Sequence, residues 1–152
     1  MLSNLKKRSE GFTIIEVLIV LAIAGLILLI VFLAVPALQR NSRNTQRKND
    51  VSGILGAVNE YTNNNGGTQP TNTTTLSTAL NNWKPGFYTA TNVSGDWSGG
   101  TVSNLGDTSK VKIAFGDKCN GSDAAAGSTR QLAILYTVET GGGGTQNICT
   151  DS

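Results

Sequence analysis

An uninterrupted apolar segment limits the possible folds of this chain more than any other feature. From Val17 to Leu38 the sequence reads VLIVLAIAGLILLIVFLAVPAL, which is 22 residues without a charged or strongly polar side chain. As a helix this segment would extend about 33 Å, enough to cross a hydrocarbon core of about 30 Å. The rest of the chain is too small to enclose a helix that is apolar on every side. We therefore predict a membrane segment.

Three residues distinguish this segment from a plain anchor. The apolar stretch begins at Phe12, and Glu16 interrupts it with a carboxylate. A carboxylate there is costly to insert, so it either reaches water at the interface or has a charged partner. Gly25 and Pro36 lie inside the run. Since Pro36 has no backbone N–H, we expect a kink or local unwinding near it.

The charges are divided unevenly along the chain. Residues 1–49 hold seven Lys/Arg and two Asp/Glu, whereas residues 50–152 hold five and eight. Lys6, Lys7 and Arg8 form a positive cluster before the apolar run, which favours a cytoplasmic N-terminus. A basic, apolar N-terminal part followed by a mildly acidic body indicates an anchor joined to an exported domain.

The composition argues against several functional classes. The chain has no His and only two Cys, which excludes Ser-His-Asp and Cys-His catalytic pairs and zinc sites built from His or from four Cys. Aromatic residues are 6% of the chain and the body is acidic, so nothing supports a specific nucleic-acid partner. We expect neither an enzyme nor a cofactor.

The segment from Gly11 to Val20, GFTIIEVLIV, resembles the processing site of type IV prepilins and of the related pseudopilins of type II secretion and competence systems. Its matching features are a short basic leader ending in Gly11, Phe12 as first mature residue, Glu16 at the fifth mature position and a long apolar helix. The resemblance covers roughly residues 5–40. It implies cleavage between Gly11 and Phe12 by a prepilin peptidase, and N-methylation of Phe12.

The resemblance also implies how such a chain assembles. Glu16 would neutralise the terminal amine of a neighbouring subunit, and Gly25 and Pro36 would bound a stretch that unwinds in the filament. Many relatives carry this proline earlier, where this chain has Leu33. The implied partners are other copies in a helical filament, the peptidase, an assembly platform in the cytoplasmic membrane, and lipid before assembly. The implied path is a single-pass precursor in the cytoplasmic membrane, N-terminus inside, and then an extracellular pilus.

Two other functions stay open at this point. One is a pseudopilin of a secretion or DNA-uptake machine, in place of a pilin. The other is a surface-binding protein that is either anchored or secreted. The secreted form would be released by signal-peptide cleavage after Ala37, in the segment Val35-Pro36-Ala37. The mature N-terminus separates these readings, because it would be methylated Phe12, Leu38 or Met1.

The pilin resemblance and the sequence pattern together predict an α+β fold with four parts. These are a leader at 1–11, a membrane and filament-core helix at 12–38, an amphipathic continuation at 39–62 and a globular head at 63–152. One helix should run from about Thr13 to Tyr61, bent near Pro36. Residues 39–50 hold no apolar side chain, so a helix there should be polar all round, which is compatible with lining a filament or the membrane surface. The continuation should pack on the head through an apolar stripe with helical spacing: Val51, Ile54, Leu55, Val58 and Tyr61.

The head is predicted to be a small antiparallel sheet laid on that helix. Alternating or apolar runs at 110–115, 132–138 and 146–149 predict three strands, and a short helix is expected near Leu76. Gly53 and Gly56 either let strands approach the long helix closely or are merely tolerated there. Trp83, Phe87 and Tyr88 either cover the core near a loop or form an adhesive patch.

Cys119 and Cys149 are the only cysteines. In an exported body an even pair predicts a disulfide, against the alternative of two free thiols. Nearby, Asp117, Asn120 and Asp123 are weak candidates for calcium, since some pseudopilins bind calcium in the head. Their spacing does not match an EF-hand loop, and a solvated polar turn is the favoured interpretation.

Overall fold

The computed structural model describes residues 11–103 and 105–152. The chain divides into two compact units, Met1–Leu38 and Gln39–Ser152. Residues 1–10, which hold most of the predicted leader, lie outside the described residues.

The longest element is helix α1, Ile14–Asn64. Its first part, up to Leu38, exposes every large apolar side chain, among them Phe32 at 75%. By length and composition alone, α1 is the one helix of the described residues that could cross a membrane. The helix runs unbroken through Pro36, so the local unwinding expected there is absent. One missing N–H leaves the hydrogen bonds of the flanking turns intact. The bend, and unwinding within a filament, stay predictions.

The second part of α1 carries the predicted apolar stripe. Val51, Ile54 and Val58 are buried, and Leu55 packs against them as a partly buried residue. The helix ends three residues beyond the predicted Tyr61, where the Asn/Gly-rich segment stops it. There the N–H of Gly67 donates to the carbonyl of Thr62 at 2.8 Å, and Gly67 takes a φ of 87°, a value that favours glycine.

The head contains a four-stranded sheet, a separate hairpin and a short helix. The sheet strands are β1 (Val93–Asp96), β2 (Val111–Phe115), β5 (Leu132–Glu139) and β6 (Thr145–Asp151), in that spatial order. The hairpin is formed by β3 (Asp117–Asn120) and β4 (Asp123–Ala126), and helix α2 spans Thr73–Ala79.

This arrangement confirms the α+β class and the three predicted strands, with one correction. β2 with β5, and β5 with β6, pair antiparallel as expected, but the edge strand β1 pairs parallel to β2. The sheet is therefore not purely antiparallel. The segment VSGD of β1 has no apolar alternation and includes a glycine, so its sequence carried no strand signal.

The sheet is covered on both faces. Alternate residues of β2 and β5 share the main core with the apolar stripe of α1; Ile113, Ile134 and Ile54 are all members of it. The opposite face carries a smaller cluster in which Ala114 and Leu135 meet Ala124 of the hairpin. Because β5 is buried on both faces, seven of its eight residues are buried, and it reads as a continuous apolar run.

Candidate functional site

The predicted scissile bond lies just ahead of α1. Phe12 is 89% exposed, and among the described residues no atom beyond the chain neighbours of Gly11 comes within 4 Å of a Cβ placed on it. Neither residue belongs to a helix or strand, since α1 begins at Ile14. Cleavage at this point would therefore not require the helix to unwind.

Glu16 is bound to the first residues of its own chain. Its Oε2 accepts hydrogen bonds from the backbone N of Thr13 at 2.8 Å and from Thr13 Oγ1 at 2.7 Å. The N–H of Glu16 in turn donates to Thr13 Oγ1 at 3.4 Å. This reciprocal pattern is a capping box, and its Thr-x-x-Glu signature was readable in the sequence. Glu16 therefore has a local role, capping α1, which the sequence analysis missed.

Glu16 is the only ionisable side chain between Phe12 and Leu38. It borders an apolar surface groove of about 460 Å³ that is lined otherwise by Phe12, Val17, Val20 and Leu21. No residue of this stretch can therefore supply a positive side chain to pair with the carboxylate.

The sequence of residues 6–32 matches the family described as the prokaryotic N-terminal methylation motif. The chain carries the prepilin-type motif of type IV pilins. The motif and the apolar helix fit a membrane-anchored precursor of the pilin or pseudopilin kind. No curated protein and no solved structure gives a significant match to the chain.

Behind the prepilin-type motif, the polar part of α1 is held by the head. The Arg47 side chain is only 2% exposed; its Nη2 lies 2.7 Å from Glu139 Oε1 and its Nε donates to the carbonyl of Thr108 at 3.1 Å. Its guanidinium carbon lies 4.2 Å from the ring centre of Phe87. Hydrogen bonds from Arg43 and Arg47 lower the pKa of Glu139 to about 2.

Asp50 closes the same face of α1. Its Oδ1 accepts from the N–H of Gly86 at 2.8 Å, and its Oδ2 accepts from Phe87 and Tyr88 at 2.7 and 2.8 Å. One buried carboxylate thereby satisfies three successive backbone donors.

These contacts show that residues 39–50, expected to be polar all round, nevertheless have one face that packs on the head. The spacing of Arg47 and Asp50 continues into Ile54 and Val58, so one stripe of α1 faces the head, first with polar and then with apolar side chains. The helical period was visible, but a pattern search that counts only apolar residues does not detect it.

The two cysteines form a disulfide that joins β3 to β6, with a Cα–Cα distance of 5.7 Å. The bond holds the hairpin over the sheet, beside a hydrogen bond of 2.8 Å from the N–H of Cys119 to Asp151 Oδ2. No cysteine within the described residues is free.

The three weak calcium candidates do not converge. Asn120 and Asp123 are cross-strand neighbours at the tip of the hairpin. Asp117 lies three residues further along β3, about 10 Å away at the usual rise of a strand. It is buried and accepts a hydrogen bond from the N–H of Gly100 at 3.2 Å. The spread along the hairpin explains why no shared coordination sphere forms among them.

The aromatic residues of the head divide between two roles. Tyr88 is buried in the core, and Phe87 packs edge-on against it at 5.2 Å between ring centres. Trp83 is partly buried and lies on α1, where a Cβ at Gly53 would come within 2.9 Å of its Nε1. Gly53 thus admits the indole of a loop residue, and not a strand. Gly56 has no neighbour within 4 Å of a built Cβ.

Proposed function

We propose that this protein is a structural subunit of a type IV pilus or a related filament, and not an enzyme. A prepilin peptidase cuts between Gly11 and Phe12 and methylates Phe12, and the mature chain assembles through α1. The observation that supports this most is the prepilin-type motif at residues 6–32, which extends into the first part of α1, where every large apolar side chain up to Leu38 is exposed.

The exposed apolar surface supports two successive environments for the helix. A solitary helix with this surface is stable in lipid, because its backbone is fully hydrogen-bonded within the segment. Packing against the same segment of other copies would also cover it. The membrane thus stores the precursor, and the filament core replaces lipid with neighbouring helices.

A charge pair at Glu16 would fix how the α1 helices of neighbouring subunits align along each other. Cleavage creates an α-amine on Phe12, which is the first positive charge next to Glu16 within the apolar segment. The amine of a neighbouring subunit would pair with this carboxylate, because two charges that leave water need each other. The groove formed by Phe12, Glu16, Val17, Val20 and Leu21 is the surface on which that neighbour would dock.

The test separates charge pairing from helix capping. Glu16→Gln keeps a side chain that a capping box accepts but removes the charge, whereas Thr13→Val keeps the charge and removes the hydroxyl of the cap. We expect Glu16→Gln and Glu16→Ala to reduce sheared filament at least tenfold, with the protein retained in the membrane. Thr13→Val should assemble much closer to the wild-type level.

Mass spectrometry of the same samples checks processing independently. The mature N-terminus should be N-methylated Phe12 in the Glu16 and Thr13 variants. Gly11→Val, in contrast, should leave the precursor uncut. Normal filament yield from Glu16→Gln would contradict the charge pairing, and equal loss in Thr13→Val would assign the defect to the cap. A mature N-terminus at Leu38 or at Met1 would refute the pilin-like function itself.

A further inference from the structure

A groove of about 640 Å³ lies in the unit Gln39–Ser152. It is bounded by α1 on one side and by the end of α2 and the segment after it on the other. Its floor is the backbone of α1 at Gly53, Gly56 and Ala57. Since nothing lies within 4 Å of a Cβ at Gly56, this part of the floor is open space. The volume is within the range of roughly 300–1,000 Å³ typical of small-molecule sites.

Trp83 forms an aromatic wall of the groove, and its position is fixed by packing. Its indole lies against Gly53, packs on the main core, and is anchored by a backbone hydrogen bond of 3.1 Å from Trp83 N to the carbonyl of Leu80. The other tryptophan, Trp97, donates its Nε1 proton to the carbonyl of Pro70 at 2.6 Å. Within the described residues, Trp83 Nε1 has no such acceptor.

The rest of the lining is polar and electrically balanced. Glu60 and Lys84 are its only charged residues, and Asn64, Asn65 and Asn82 add three amides. The Asn65 amide donates to the carbonyl of Tyr61 at 2.8 Å, whereas the side chains of Glu60, Lys84, Asn64 and Asn82 make no hydrogen bond or ion pair with other described residues. The groove therefore offers several donors and acceptors beside an aromatic face, with a net formal charge of zero.

We propose that this groove binds a neutral saccharide. A sugar ring has an apolar C–H face, which packs on an indole, and a rim of hydroxyls, which need amide and carboxylate partners. A nucleic acid or phosphate ligand would bring negative charge toward Glu60 with Lys84 as its only cation. A helix of a second copy would need a broad apolar contact, whereas the floor here is glycine and the rim is polar. The inference is independent of filament assembly, because all residues of the groove belong to the unit Gln39–Ser152.

The test uses the full chain in a zwitterionic detergent without a sugar headgroup. Chitotetraose, cellotetraose, maltotetraose and lacto-N-tetraose are titrated while the two indole N–H signals are followed by NMR, with Trp97→Phe used for assignment. We expect at least one sugar to shift the Trp83 signal saturably and to leave the Trp97 signal in place. No saturable shift of Trp83 with any of the four would overturn the proposal.

A variant that fills the groove without disturbing the fold gives the second arm. Gly56→Leu places a side chain into open space on a helix, where leucine is favoured over glycine. It should weaken sugar binding at least tenfold, whereas Asn59→Leu, exposed on α1 outside the groove, should not. Unchanged affinity in Gly56→Leu would place the sugar elsewhere. A changed association state of Gly56→Leu, measured by sedimentation without sugar, would assign the groove to a second copy and overturn the proposal as well.

Discussion

Two stretches of α1 reverse the usual relation between residue type and burial. From Ile14 to Leu38 the helix is almost wholly apolar and exposed, and a few turns later Arg47 and Asp50 are 2% and 6% exposed. The difference lies in what each stretch has within its own unit. Among the described residues of its unit, the first has no other helix or strand to pack on. The second lies on a sheet and two loops that supply a hydrogen-bond partner for each buried charge.

The comparison also separates two kinds of stabilisation. The large apolar side chains of the first stretch are all exposed, and by length and composition this stretch could cross a membrane. The buried charges of the second stretch stabilise the fold only while each keeps its hydrogen-bond or ion-pair partners, because a buried ion that loses its partner is strongly destabilising. Substitutions in the two stretches should accordingly affect different measurements.

The largest effect is expected from breaking the polar contact at Asp50. Asp50→Ala leaves the N–H groups of Gly86, Phe87 and Tyr88 without an acceptor and should lower the free energy of unfolding of the head by about 3–5 kcal/mol. Urea unfolding of the full chain in detergent, followed by the fluorescence of Trp83 and Trp97, measures it. Asn49→Ala, exposed next to it, is the control and should stay within about 0.5 kcal/mol. Equal stability of the two variants would show that the carboxylate is not needed.

A matched isoleucine pair on the same helix comes next. Ile54 is 0% exposed and Ile27 is 53% exposed. Ile54→Ala should cost the head about 2–4 kcal/mol through lost burial and a cavity, while Ile27→Ala should leave head unfolding unchanged. If both variants lower head stability alike in the same urea assay, the two stretches do not differ as described.

The smallest effect concerns acid. The folded pKa of Glu139 is lowered to about 2 from an ordinary value of 4.5, so its contribution is complete above the unfolded pKa and is lost as the pH falls from about 4.5 toward 2. Glu139→Gln should remove about 1 kcal/mol at pH 7, because the carboxylate keeps contact with solvent. It should also flatten the fall in stability between pH 5 and pH 3. If thermal unfolding of Glu139→Gln depends on pH in the same way as that of the wild-type chain, Glu139 does not cause the loss of stability in acid.

Much of the fold was predictable because its signals are local. The apolar run, the stripe from Val51 to Val58, the Asn/Gly stop and the runs of β2 and β5 each rest on periodicity or turn chemistry. The disulfide followed from the single pair of cysteines. The capping box of Thr13 and Glu16 was equally local; it was overlooked because the carboxylate was considered only for its charge.

The missed features depend on distant parts of the chain. Strand β1 forms because Val111 to Ala114 pair with it by hydrogen bonds in parallel register. The sequence VSGD of β1 itself contains no pattern that predicts a strand. Trp83 settled on Gly53 because a loop 30 residues away returns to the helix there. The groove beside it belongs to no continuous segment, so no pattern in the sequence could show it.

The sequence by itself determined that the N-terminal quarter carries a prepilin-type motif, because hydrophobic length, a glycine and one carboxylate at fixed spacing are properties of a single segment. It also determined the helix and strands that are read from local periodicity. Only the tertiary structure decided that Arg47 and Asp50 turn inward, since the free energy of a buried charge depends on whether Glu139 and the N–H groups of residues 86–88 arrive to meet it. These partners lie 36–92 residues away along the chain, and only folding brings them to the helix.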